Sequence, residues 1–258
     1  MRILLIAGHG AGDPGACALG YQEATETRKM ANAVAPLLKA YGVDVAMYDQ
    51  SKNAYDVLRY GGSMPLSGVD YVIEFHLNAG VGDTGGNGST TGTEILVDTS
   101  EGGTSVEEKM LARICALGLK SRGVKRRNDL LVQNTVTNNG ISHALIETCF
   151  VDDKDDMTLY AAKFDEIAKA IADGVAEGFG LIKEEEDMTE EQVRKIIAEE
   201  EQKKTYNTVN ELPFGQDTIQ KMLDKGLLKG VDDAGNLGLS YDALRIFVVF
   251  DRMGMYGE

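Results

Sequence analysis

Four side chains in the first 150 residues carry the donor types of a hydrolytic metal site: His9 in GHGAGDPGA, Glu23 in GYQEATE, His76 in EFHLNAG and Glu147 in ALIETCF. Two imidazoles and a carboxylate can hold one zinc ion with a position open for water, and a further carboxylate can take that water's proton. This is the minimum apparatus for hydrolysing an amide. Taken singly, His9 and Glu23 are weak candidates. A lone histidine is more often structural than ligating, and most glutamates before a helix only favour its N-terminus. His76 is stronger because it follows the apolar run Tyr71–Phe75 directly, at a strand end where a core histidine is hard to satisfy. Glu147 lies in a run otherwise suited to complete burial, where an isolated carboxylate costs several kcal/mol unless paired or beside a metal. Burial raises its pKa and a nearby cation lowers it, a balance that suits a general base.

These residues need elements to bring them together. Ile3–Ala7, Val43–Met47, Tyr71–Phe75, Glu94–Val97 and Ala144–Cys149 are short apolar segments suited to buried strands. Between them, Met30, Val34, Leu37, Leu38 and Tyr41 keep the spacing of one helix face, as do Phe164, Ile167, Ala168, Ile171 and Val175. The alternation predicts an α/β fold, a twisted and mostly parallel sheet flanked by helices. His9, between Gly8 and Gly10, then falls at the carboxyl end of a strand, where such folds gather ligands. Strand alternation puts Glu74, His76 and Asn78 on one face, so Asn78 is a candidate for orienting the ligand or the substrate.

The pattern changes near Lys183 to KEEEDMTEEQ, a solvated charge run. The expected organisation is a catalytic domain over 1–182, a charged linker or helix over 183–204, and a small all-helical module over 205–258. Thr189 with Gln192 resembles a capping box ahead of a narrow stripe of Val193, Ile196 and Ile197. In the module, Ile219, Met222 and Leu223 share a helix face, Gly226 is a stop, and Ser240 caps an apolar helix running through Phe250.

Among 258 residues the formal net charge is −15, which argues against a nucleic-acid partner. The three cysteines, Cys17, Cys115 and Cys149, are widely spaced and odd in number, so no disulfide framework follows. The apolar start of MRILLIAGHG is too short for a signal peptide or a membrane span, so synthesis in the cytoplasm is expected.

Together, GHGAGDPGA, the glutamate fourteen positions after His9, the strand-borne HLNAG and LIETCFVDD resemble the type-3 family of zinc-dependent N-acetylmuramoyl-L-alanine amidases, in its phage endolysin branch. The resemblance covers about residues 1–180. It implies one zinc per chain, His9, Glu23 and His76 as ligands, Glu147 as catalytic carboxylate, and cleavage of the amide joining muramic acid to L-alanine in peptidoglycan. It also implies release through a holin pore or on lysis. Two positions depart from the family pattern. Glu74 stands where a small polar residue is common, either holding the His76 imidazole or raising the Glu147 pKa, and Cys149 replaces a frequent glycine.

Rival readings are a zinc peptidase acting within the stem peptide and a non-catalytic wall-binding protein on the same fold. His143 as a third imidazole ligand is disfavoured because it lies about 13 Å from Glu147 along an extended strand. A Cys149–His143 nucleophile and base fails for the same reason. The glycine-rich stretch Gly80–Gly92 is either a flexible connection or a substrate gate. The basic stretch Ser121–Leu130 offers Arg126 as a partner for substrate carboxylates. For the C-terminal module, wall targeting, homo-oligomerisation and structural support are the three expectations.

Overall fold

The computed structural model describes residues 1–182, 194 and 204–257, and the chain divides into two compact units, Met1–Glu184 and Glu185–Glu258. The first unit is built on a six-stranded sheet. In chain order its strands are β1 (Arg2–Ala7), β4 (Asp44–Met47), β5 (Tyr71–Asn78), β6 (Thr93–Asp98), β7 (Ser121–Arg127) and β8 (Ser142–Phe150). A small antiparallel pair, β2 (Cys17–Ala18) and β3 (Tyr21–Gln22), stands apart from it. Across the sheet the order is β4-β1-β5-β8-β6-β7, parallel throughout except where β6 meets β8.

Burial on both faces explains the near-continuous apolar strands, because a parallel sheet is covered on each side. Ile3, Leu5, Tyr71, Ile73, Phe75, Ala144 and Ile146 face α1 (Glu23–Lys39), α3 (Ser105–Cys115) and α6 (Phe164–Phe179). Leu4, Ile6 and Val72 face the opposite way, towards α2 (Ala54–Arg59) and α4 (Leu131–Thr137). Each fully buried Ile or Leu contributes about 1.5–3 kcal/mol. The same alternation turns Glu74 and His76 of β5 towards the α2/α4 face, at the carboxyl ends of three adjacent strands, β1, β5 and β8. This is the α/β architecture expected from the element pattern.

The basic stretch Ser121–Leu130, whose composition suggests a loop beside the substrate groove, is mostly strand: Ser121–Arg127 forms the edge strand β7. Its alternation is hidden by an exposed edge position and a register shift around Gly123, whose φ is +89°. Nor does Gly80–Gly92 hang free. Asp152 accepts from Gly80 and Gly82 N–H, Asp155 from Asn87 and Gly88, Asp153 from Thr91 and Asp156 from Gly92. Four neighbouring aspartates thus supply the rigidity that the glycines lack.

The second unit buries Tyr206, Leu212, Ile219, Met222, Leu237, Leu239 and Leu244. Its helices are Gln216–Asp224 and Tyr241–Arg252, the latter capped by Ser240 Oγ, which accepts from Ala243 N–H. It is not all-helical: Thr205–Tyr206 pairs antiparallel with Leu239–Ser240, two stretches too short for a period-two signal. The expected linker over 183–204 lies outside the described residues apart from Arg194 and Lys204. The Thr189 capping box and the stripe of Val193, Ile196 and Ile197 fall there too. Among the described residues no helix is long and apolar enough to cross a membrane.

Candidate active site

His9 leaves β1 with a left-handed backbone, φ +62°, a strained state for a non-glycine residue. The surrounding structure holds it there. The Arg28 guanidinium donates to the carbonyls of Gly8, His9, Ala24, Gln50 and Lys52, and Thr27 Oγ1 donates to Gly8 O. Glu23 opens α1 and is 3% exposed, with its N–H on Ala16 O.

The three predicted ligands converge. Glu23 Oε1 lies 3.2 Å from His9 Nε2 and 3.0 Å from His76 Nδ1, and it accepts from Leu77 N–H at 3.0 Å. One donor atom from each residue falls within 4.8 Å of the others. Each imidazole is also gripped from behind. His9 Nδ1 meets Asp13 Oδ2 at 2.7 Å, and His76 Nε2 meets Glu74 Oε1 at 3.1 Å. Carboxylates placed behind ligating histidines fix the ring and raise its basicity. Asp13 is steadied by Asn53 Nδ2 and Gly15 N–H, and Glu74 Oε2 by the fully buried His143 Nε2 at 3.0 Å. His143 therefore acts beneath the site, not in it.

Burial alone would raise the Glu23 carboxyl, but hydrogen bonds from His76 and His9 hold it well below its ordinary range. Glu74 is likewise desolvated, yet His143 and His76 hold it at about 2. Desolvation opposes charge on His76, and its bonds to Glu23 and Glu74 overcome this and raise it well above the ordinary imidazole value. The pocket favours positive charge. Two imidazole nitrogens and one carboxylate oxygen are a donor set that fits zinc, with room for a further ligand.

Glu147 on β8 is the register partner of His76 on β5 and of Glu94 on β6. Its Oε2 is buried and has no hydrogen-bond partner among the described residues. Burial is the main cause of a carboxyl pKa raised to about 7, with His76 pulling down and Glu23, Glu94 and Glu74 pushing up. Glu74 is the least of these three like-charged neighbours. The larger contribution of Glu94 was not anticipated. Glu94 is buried and accepts from Arg122 Nε at 2.7 Å, Lys125 Nζ at 2.5 Å and Asn78 Nδ2 at 3.2 Å. Glu94→Gln removes a like charge and frees two cations, so it lowers the Glu147 pKa, and if Glu147 serves as the base the acid limb of a pH–rate profile moves to lower pH. An unmoved limb would break the link between the two glutamates.

A cleft of about 320 Å³ opens over this cluster, lined by Gly8, His9, His76, Tyr55, Leu131 and Leu145 among others. Asn78 is not among its lining residues; its Nδ2 donates to Glu94 instead. Nor is Arg126: its guanidinium donates to Asp98 O and Glu101 O, and it lines a separate cavity with α3. Gly8 is required sterically. A Cβ there would stand 2.3 Å from His76 Cε1 and 2.4 Å from Nε2, so Gly8→Ala must displace the ring. Zinc affinity, read by competition with a chromophoric chelator, should drop about 10–100-fold. Unchanged affinity would mean that His76 is not held as described.

The N-acetylmuramoyl-L-alanine amidase family model matches residues 3–177. The chain is 30% identical over 189 residues to "Probable autolysin PH" of Staphylococcus aureus (strain NCTC 8325 / PS 47), covering 67% of this chain and 38% of that protein. It is 30% identical over 186 residues to "Endolysin" of Bacillus phage SPP1, covering 70% and 65% respectively. The chain thus spans less than two thirds of the length of either. Among solved structures, the catalytic domain of the CD27L endolysin targeting Clostridia difficile shares 25% identity, with a TM-score of 0.55 over 69% of this chain and 97% of that one. With the fold, the converging donor set and this match over most of the first unit, the chain belongs to the N-acetylmuramoyl-L-alanine amidase family.

Proposed function

We propose that the chain is a zinc-dependent, endolysin-type peptidoglycan hydrolase that cuts the amide between N-acetylmuramic acid and the L-alanine of the stem peptide. The observation that carries this reading is the convergence of His9 Nε2, His76 Nδ1 and Glu23 Oε1 beside a cleft that both imidazoles line, with Glu147 the register partner of His76 and its buried Oε2 unpartnered among the described residues. When bound, zinc supplies a Lewis acid for the scissile carbonyl and lowers the pKa of water towards about 7. His9, Glu23 and His76 would hold it. Glu147 accepts a proton from the attacking water as the C–O bond forms and returns it to the departing nitrogen as the amide C–N bond then breaks. Asp13 and Glu74 keep both rings in the tautomer that presents the ligating nitrogen.

Purified walls supply the test. The protein should release peptides from them, lose that activity on chelation, and regain it with one equivalent of zinc. Full activity after the metal is stripped would reject the reading. The second unit is proposed to dock the enzyme on the wall. Truncation after Ile182 should abolish sedimentation with walls at an unchanged oligomeric state; retained sedimentation with a smaller number of subunits per particle would assign the unit to self-association instead.

A further inference from the structure

We propose that Arg122 is a receptor for a free carboxylate on the peptide side of the substrate, a reading that rests on the amidase function above. The side chain is prepared for that task. Its Nε is fixed on the buried Glu94 carboxylate at 2.7 Å, and its guanidinium carbon lies 4.7 Å from the centre of the Phe150 ring. Both contacts leave the terminal amino groups untouched. Neither has a hydrogen-bond partner among the described residues, and the side chain is 33% exposed. A planar fork held by its stem, with both tines open, matches a carboxylate in bidentate geometry.

Its place in the sheet supplies the direction. His76, Glu147, Glu94 and Arg122 belong to β5, β8, β6 and β7, four neighbouring strands in that order, and His9 follows the end of β1 on the other side of β5. Glu94 is the register partner of Glu147 and is bonded to Arg122, so these groups lie along one face. Arg122 stands two strand spacings from the catalytic carboxylate, about 10 Å. A peptide whose first amide is positioned at Glu147 reaches that far with the residue after its L-alanine. Lys125, on the same oxygen of Glu94, adds a second positive charge at this end of the row. In a chain of net charge −15 an anionic peptide needs such a local reversal of sign. Neutralising Glu94 would by itself explain a single cation. It does not explain two cations on one oxygen with the guanidinium fork left open.

The test is titration of the zinc-loaded full-length protein with a synthetic L-alanyl-D-isoglutamyl peptide and with the same peptide carrying a carboxamide in place of the free carboxylate. The carboxylate form should bind about tenfold more tightly. Arg122→Gln should erase the difference, whereas Arg126→Gln, on the other face of β7, should preserve it. Arg122→Lys keeps the charge beside Glu94 but loses the fork, and should retain only a small part of the preference. Equal affinity of the wild-type protein for both peptides, binding of neither, or a preference that survives Arg122→Gln would overturn the proposal. The wild-type comparison decides even if a variant fails to fold. Wall hydrolysis is scored separately. Hydrolysis with equal peptide affinities rejects the carboxylate receptor and keeps the amidase reading, while intact walls with the preference present reject the amidase reading and leave the receptor standing.

Discussion

Glu147→Gln slows peptide release from walls by about 10²–10⁴-fold, the range a positioned general base contributes, while zinc stays at one per chain. The two halves of this expectation separate Glu147 from the ligands. Its Oε2 is buried beside the cluster without a partner, and no atom of it belongs to the converging donor set. Glutamine keeps the shape and one acceptor oxygen but cannot take a proton. Metal analysis and turnover measured on one preparation check both halves. Loss of zinc in this variant would make Glu147 a ligand and leave the base unassigned.

Glu23→Gln has the opposite signature. Glu23 Oε1 is the one oxygen that faces both imidazoles, and its charge is what the two rings are arranged around. Glutamine keeps the shape but has a single acceptor oxygen, so it can keep only one of the bonds from Ala16 and Leu77 N–H, which reach different oxygens of Glu23. Zinc affinity should fall by more than the roughly 10–100-fold typical of residues behind the ligands, and activity should fall with it. Asp13→Asn and Glu74→Gln give the scale for that comparison, since each touches an imidazole only from behind. A Glu23→Gln protein that binds zinc as tightly as the wild type would remove Glu23 from the metal site.

Much of the site was legible because its chemistry is tied to strand ends. His9 and His76 each follow an apolar run, and Glu147 interrupts one, so residue type and place agree. The strand order that makes them neighbours could not be read, because contacts such as His76 with Glu23 join residues 53 positions apart. Glu94 was seen only as the first residue of a strand. Nothing local tells it apart from a solvated glutamate until β6 is paired against β8. Asn53 was missed for the same reason, its bond to Asp13 spanning 40 positions, whereas Asp13 stands only four residues from the ring it holds and was in reach of a local reading. The error at Arg126 has a sharper cause. In SRGVKRR the face of each cation depends on where the strand bulges, and the shift around Gly123 puts Arg122 and Lys125 on the Glu94 side, with Arg126 on the other. Parity counted from sequence cannot see such a bulge.

What defines the enzyme is the bond it cuts. Mass spectrometry of the soluble and insoluble products of wild-type digestion tests it most directly. The expected products are stem peptides that begin with a free L-alanine amine, and glycan strands whose muramic acid carries a free lactyl carboxylate. Glycan strands that still carry L-alanine, with a new amine appearing farther along the stem, would contradict the amidase reading and assign the same metal site to a peptidase.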